Sequence, residues 1–119
     1  MTDDIEIHAT PTGALAGTVN APLWRVPDGF GGITLRNVWI VGRGAATSVM
    51  NLINLGTALG TTISSIVGTL NGTLVANVQQ AFNITTAYQA AGTWLGLKTG
   101  AGGSLDAGTE VIWEFAYGK

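Results

Sequence analysis

A long uncharged stretch constrains this chain more than any other feature of its sequence. Residues 44–97, which make up 54 of the 119 residues, include no Asp, Glu, Lys or Arg. Only 10% of the whole chain is charged, whereas a globular domain usually has about 25% charged residues, mostly on its surface. Nearly half of the chain must therefore keep its solvent-facing side hydrated with Thr, Ser, Asn and Gln alone.

An uncharged surface of this size has two interpretations. Spread charges of one sign keep proteins apart in solution, so a surface without them is poorly repelled from its neighbours. It can belong to an ordinary domain that is simply neutral, or it can be a surface that other protein subunits cover. The length of the stretch favours the second interpretation, and it directs the search for function to surfaces and architecture.

Length and composition limit the class of protein. A chain of 119 residues is expected to form one domain with a core of its own. Cys is absent, so neither disulfides nor thiolate metal sites are available. The net charge of −2, without a basic cluster, argues against nucleic-acid binding. No apolar run approaches the roughly 20 residues of a membrane helix, and the acidic start lacks the apolar region of a signal peptide. We expect synthesis in the cytosol and no contact with a membrane.

Short β-strands separated by glycine-rich turns are predicted for most of the chain. The clearest is at residues 109–117, where apolar and acidic side chains alternate and fall on opposite faces. The apolar set is Val111, Trp113, Phe115 and Tyr117, and the acidic set is Glu110 and Glu114. The other predicted strands are residues 15–20, 23–26, 33–41, 73–78, 81–88 and 93–99.

Glycine and proline mark the turns and the ends of these predicted strands. The dipeptide Gly-Thr occurs seven times, and it suits the boundary between a turn and a strand because Gly accepts positive φ and Thr packs well in a sheet. Asn71-Gly72 predicts a hairpin turn. Pro22 and Pro27 bracket residues 23–26, which favours an edge strand there.

The strand pattern predicts an antiparallel β-sandwich of about eight strands, resembling a jelly roll, because a parallel sheet would need crossover helices. Residues 47–59 fit both a helical and a two-residue period; their glycines and threonines favour a strand, with a short helix as the alternative. The sandwich domain is expected at residues 15–119. Residues 1–14 are either an N-terminal arm that docks on a neighbour or an edge strand.

No constellation of residues predicts catalysis. His8 is the single histidine, so it lacks partners for a metal site or for a Ser-His-Asp triad. Glu110 and Glu114 share a strand face, as the carboxylates of a glycosidase do, but a solvated strand face explains them as well. The glycine-rich residues 100–103 lack the Lys-Ser/Thr ending of a phosphate loop. We therefore expect no enzyme activity, no cofactor and no metal ion.

The four Trp residues are the main candidates for binding. Trp39 and Trp113 lie inside strong predicted strands, and we expect both in the core. Trp24, between two prolines, and Trp94, after a turn of small residues, can each serve as an interface anchor or as an aromatic platform for a sugar. Core packing is the alternative for both.

Several segments carry a likeness to known proteins. They are residues 21–27 (Ala-Pro-Leu-Trp-Arg-Val-Pro), 31–35 (Gly-Gly-Ile-Thr-Leu), 92–96 (Gly-Thr-Trp-Leu-Gly), 105–111 and 117–118, together with the neutral middle rich in Gly-Thr. Over residues 15–119 the chain resembles small virion structural proteins of tailed bacteriophages. The resemblance implies a β-sandwich that sits on a capsid or tail, often as a trimer, and it carries no catalytic residues.

Resemblance and surface together lead to an expected function. The chain is expected to be a capsid decoration protein or another head protein, located in the virion, which binds copies of itself and other capsid or tail proteins. Its mechanism would be the burial of neutral surface against neighbours, which adds contacts to the shell. The alternative is a carbohydrate-binding module of a phage tail or fibre tip that uses Trp24 or Trp94.

Overall fold

The described part of the chain is built from β-strands and turns. The computed structural model describes residues 4–17, 19–44, 50–59, 65–70, 72–100 and 104–119. The strands in these ranges are β1 (Glu6–Pro11), β2 (Leu15–Ala16), β3 (Val19–Arg25), β4 (Ile33–Val41), β5 (Met50–Asn54), β6 (Ser65–Leu70), β7 (Gln79–Ile84), β8 (Tyr88–Gln89), β9 (Trp94–Thr99), β10 (Ser104–Leu105) and β11 (Glu110–Tyr117). Among the described residues, no helix has the length and apolar character needed to span a membrane.

The eight longer strands pair as a jelly roll. Their order in the sheet is β1-β11-β4-β7-β6-β5-β9-β3, and neighbours in this order are antiparallel. Counted along the chain, the first of the eight pairs with the last, the second with the seventh, the third with the sixth and the fourth with the fifth. This is a long two-stranded ribbon rolled up on itself, the jelly-roll arrangement. The predicted all-β sandwich of about eight strands is confirmed.

Strand β7 joins the two sheets of the roll. Its residues 79–81 pair with β4, and its residues 82–84 pair with β6. The first sheet is therefore β1-β11-β4-β7, and the second sheet is β7-β6-β5-β9-β3. On the opposite side β1 approaches β3 without a hydrogen-bonded ladder between them, so the roll is nearly closed. The short strand β8 extends the first sheet by pairing with the start of β4.

Inward-pointing side chains of both sheets form the core. In β11 the predicted alternation is confirmed, since Val111, Trp113 and Phe115 are buried. The indole Nε1 of Trp113 donates a hydrogen bond to Thr10 Oγ1 at 2.9 Å, and Thr10 Oγ1 donates to the Val111 carbonyl at 3.2 Å. These two bonds tie edge strand β1 to its neighbour inside the core. The second sheet contributes Met50, Leu52, Val67, Leu95 and Leu97 to the same cluster.

Most of the predicted strands are present with small shifts of their ends. Residues 33–41 coincide with β4, and the predictions at 93–99 and 109–117 each begin one residue before the observed strand. The predicted strand at 15–20 is divided, since residues 15–16 form β2 and residues 19–20 begin β3. Residues 23–25 of the predicted strand 23–26 also belong to β3, which lies at the end of the sheet order and tolerates Pro22 there. Residues 50–54 form β5. The strand predicted within residues 47–59 is therefore confirmed there, and the alternative of a short helix is not.

The predicted strand at residues 73–78 is wrong. Asn77 has φ of 60°, a left-handed conformation that interrupts an extended chain. The side-chain amide of Gln80 also replaces a partner strand, because its Oε1 accepts from Val75 N at 2.7 Å and its Nε2 donates to the Thr73 carbonyl at 2.8 Å. Apolar composition alone gave no sign of this local hydrogen bonding.

The turns follow the predicted chemistry in part. Gly17, Gly92 and Gly108 have positive φ, and in each case a strand begins two residues later, as the Gly-Thr pattern predicts. Gly56 and Gly72 also have positive φ, but no strand follows either of them, and Gly68 lies within β6. Asn71 of the predicted hairpin turn and residues 101–103 of the glycine-rich loop lie outside the described residues. Of the two alternatives for residues 1–14, an edge strand describes residues 6–11.

Candidate interaction surface

A row of polar side chains crosses the outer face of the second sheet. The strand registers place one residue from each of the five strands side by side: Asn20, Lys98, Asn51, Thr69 and Asn83. With about 4.8 Å between strands, the row is about 19 Å long. Its members are exposed or half-buried, and within the described chain none of their side chains makes a hydrogen bond or ion pair. We call this surface the Lys98 face.

The uncharged stretch of the sequence supplies most of the strands of the Lys98 face. Strands β5, β6 and β7 lie wholly inside residues 44–97, and β9 leaves that range only at its last two residues. Lys98 is thus the only charged member of the row. A second row has Pro22, Gly96, Ile53 and Ile66 in register and lies two residues along β3, β9 and β5, and three along β6, where the register shifts. Pro22 and Ile66 are exposed, whereas Gly96 and Ile53 are buried. The face offers hydrogen-bonding groups beside apolar side chains.

The outer face of the first sheet has a different character. Ala9, Ile112, Trp39 and Ala81 lie in register across its four strands and form an apolar row. Glu110 lies two residues along the strand on one side of this row. Glu114 lies two residues away on the other side. We call this surface the Trp39 face.

The prediction that Trp39 belongs to the core is wrong. Its neighbours Val38 and Ile40 are fully buried, so strand alternation turns the indole of Trp39 to the outer face, where it is half-buried. The sequence contained a usable signal, because the acidic positions of β11 mark an outer face. The pairing of β4 with β11 then places Trp39 opposite Ile112, between the two glutamates.

Trp24 lies among the core residues. Its ring is 9% exposed and packs 5.2 Å from the Phe115 ring and 5.8 Å from the Trp113 ring, measured between centroids. The His8 ring covers it from β1 at 4.9 Å. A ring enclosed on these sides offers no open platform for a sugar, so core packing describes the position of Trp24. Its buried Nε1 makes no hydrogen bond within the described chain.

Trp94 lies at the start of β9 on the outer side of the second sheet. Its side chain is half-buried, and it stands in register with Arg25 of β3. Its carbonyl accepts a hydrogen bond from Leu55 N at 2.8 Å, which fixes the backbone at this end of the face. Contact of Trp94 with a partner or a ligand stays a prediction.

An exposed aromatic pair was missed in the sequence. Phe30 is 58% exposed and stacks on Tyr117 with 4.5 Å between ring centroids. The loop that carries Phe30 is held by Tyr88, whose hydroxyl donates to the Gly31 carbonyl at 2.9 Å. Because residues 29–32 are rich in glycine, the sequence around Phe30 indicates a turn and gives no sign of an exposed aromatic site.

The candidate catalytic residues His8, Glu110 and Glu114 do not form a cluster with other His, Asp or Glu side chains in the described chain. His8 is exposed on β1, and the described residues contain no group of three His, Cys, Asp or Glu side chains close enough to hold a metal ion. Glu110 and Glu114 share the outer face of β11, as predicted. Glu114 accepts a hydrogen bond from Asn37 Nδ2 at 3.2 Å.

Comparisons of the chain with protein-family models, with curated proteins and with solved structures find no match. A fold shared by many functions does not determine the function of one member. Function is therefore inferred from the two faces and from what each is able to bind.

Proposed function

We propose that this chain is a virion structural protein, a capsid decoration protein or another head protein. It packs against copies of itself and against other capsid or tail proteins, and these contacts stabilise the shell. Jelly rolls include viral capsid domains, which agrees with the proposal. The resemblance to small structural proteins of tailed bacteriophages points the same way.

The observation that carries the proposal is the concentration of uncharged residues on one face. Charged residues are depleted at the centres of protein interfaces, because each buried charge has to be desolvated. The Lys98 face has a single charge in its polar row, and its amide and hydroxyl groups have no hydrogen-bond partners within the described chain. A neighbouring subunit supplies such partners at little desolvation cost.

Repeated contacts in a symmetric shell allow a small subunit to bind its neighbours tightly. A specific interface usually buries more than about 1,000 Å² in total, which is demanding for one face of a 12.2 kDa chain. In a symmetric shell each copy makes the same contact many times, and the linked contacts strengthen one another. Exposed apolar side chains outside the two faces, such as Val75 and Val78, add further area for other capsid proteins.

The proposal is tested by placing a charge in the middle of the Lys98 face. Thr69→Glu introduces a carboxylate between Asn51 and Asn83, whereas Ala107→Glu introduces the same charge in an exposed turn outside the polar row. Static light scattering at about 50 μM should show loss of association for the first variant and wild-type association for the second. Equal association of all three proteins would contradict the proposal, as would a wild-type chain that scatters as a monomer.

The second candidate is a carbohydrate-binding module of a phage tail or fibre tip. The observation that favours it is the exposed Phe30 ring, held in place by Tyr117 and by its anchored loop. An aromatic ring of this kind offers a flat apolar surface to a sugar. Binding to a panel of polysaccharides, lost in Phe30→Ala and kept in Trp94→Ala, would support this candidate. The absence of binding to every member of the panel would count against it.

A further inference from the structure

Three charged side chains differ from all the others in the described chain, because they are half-buried while the rest are exposed. They are Lys98, Glu110 and Glu114. Lys98 lies on the outer face of the second sheet, and the two glutamates lie on the outer face of the first. Among the half-buried charges, the negative ones lie on the Trp39 face and the positive one lies on the Lys98 face, while the exposed Arg36 of β4 also lies on the outer side of the first sheet.

Two of these charges have no partner among the described residues. Glu114 accepts a hydrogen bond from Asn37, but the carboxylate of Glu110 and the ammonium of Lys98 make no hydrogen bond or ion pair within the described part of the chain. A half-buried charge without a partner is costly compared with a paired one. A contact that brings Glu110 and Lys98 together would satisfy both.

Apolar groups on the two faces are spaced to match this pairing. On the Trp39 face, Glu110 lies two residues along β11 from Ile112 and the apolar row. On the Lys98 face, Lys98 lies two residues along β9 from the row that contains Ile66. Both separations correspond to about 6.8 Å along a strand. When Glu110 faces Lys98, the row of Trp39 is therefore able to lie against Pro22 and Ile66, the exposed side chains of the second row.

We propose that the Trp39 face of one copy packs on the Lys98 face of a second copy, with Glu110 paired to Lys98. The inference rests on the proposed function, since it names the partner and the register of the self-association. Only a contact between unlike faces is able to pair Glu110 of one copy with Lys98 of another, because the two residues lie on different sheets. Complementary charges of this kind favour the mixed contact.

A contact between unlike faces has a structural consequence. Because the two faces lie on opposite sides of the sandwich, each added copy leaves one face of each kind uncovered at the ends. Such head-to-tail contacts extend as a stack or close into a ring, whereas a two-fold contact stops at a dimer. The expected products are a series of oligomers larger than dimers.

Charge reversal with matched controls tests the pairing. Lys98→Glu and Glu110→Lys should each weaken self-association by about tenfold or more, and the two substitutions in one chain should restore it. The control is Lys98→Glu with Glu6→Lys, which has the same net charge as the wild type but reverses an exposed glutamate that does not lie on the Trp39 face. Sedimentation velocity over a range of concentrations gives the association constants.

The outcomes of that experiment separate this inference from the proposed function. Recovery with Glu110→Lys and not with Glu6→Lys supports the pairing. Equal recovery with both, or recovery with neither while the wild type associates, overturns the pairing and leaves self-association standing. A monomeric wild type overturns both.

Disulfide crosslinking tests the same contact independently if a charge-reversal variant folds poorly. The chain has no cysteine, so a single introduced thiol reacts alone. Mixing Lys98→Cys protein with Glu110→Cys protein under mild oxidation should give mainly the mixed disulfide, and replacing the second partner with Glu6→Cys protein should not. A mixture dominated by disulfides between identical variants would overturn the contact between unlike faces.

Discussion

Truncation of Trp113 to Ala should destabilise this fold more than any other single aromatic truncation outside the two faces. The Trp113 side chain is fully buried, and its indole packs 5.8 Å from that of Trp24. Removing a buried large aromatic costs about 3–5 kcal/mol in unfolding free energy. Loss of the hydrogen bond to Thr10 Oγ1 adds about 1 kcal/mol, which places the expected value in the upper half of that range.

The loss is large beside the stability of a domain of this size. At about 0.05–0.15 kcal/mol per residue, a chain of 119 residues has about 6–18 kcal/mol in total. Urea denaturation at one fixed protein concentration measures the change, since association would otherwise add to the apparent stability. Trp113→Phe should cost less than half as much, because it retains most of the apolar surface. A loss under about 1 kcal/mol for Trp113→Ala would contradict the inward face assigned to β11.

Three further predictions follow from the surfaces and the turns. Trp39→Ala should weaken self-association by about tenfold or more, as expected for an interface anchor, while the unfolding free energy measured at low concentration changes by less than about 1 kcal/mol. A large loss of unfolding free energy with unchanged association would contradict the outward position of Trp39. Raising salt from about 0.05 to about 0.5 M should leave association intact when followed by light scattering, since the contact is mostly uncharged and half-buried pairs are screened little; dissolution in moderate salt would show that charge dominates. Gly32→Ala should cost more than about 1–2 kcal/mol of unfolding free energy, measured by thermal unfolding, because φ is +87° and a Cβ there would lie 2.5 Å from the Gln89 carbonyl oxygen. Gly29→Ala is the control, since Gly29 has positive φ but open space, and it should cost less. Equal losses for the two variants would contradict the close packing at Gly32.

The fold class was predictable because it depends on short-range patterns. The alternation in residues 109–117 and the run at 33–41 are both explained by one buried face, so strand identity followed from side-chain chemistry alone. The failure at residues 73–78 has a different origin. There, Gln80 binds the backbone of residues close to it in sequence, and a side-chain amide of that kind leaves no periodic pattern to detect.

The candidate surface was predictable only in outline. The uncharged stretch indicated that a neutral surface exists, but its placement on one sheet depends on strand order, which pairs residues as far apart as Asn20 and Lys98. The same long-range pairing decides the faces of Trp39 and Trp24. Each lies in a strand with apolar residues around it, and only the registers of β4 with β11 and of β3 with β9 show which ring points outward.

Sedimentation velocity of the unmodified chain tests whether its neutral surface is an interface between subunits. If other subunits cover that surface, the chain should associate when no other partner is present. At concentrations up to about 100 μM in moderate salt, we expect species larger than 12.2 kDa whose share rises with concentration. A single 12.2 kDa species across the whole range would contradict it.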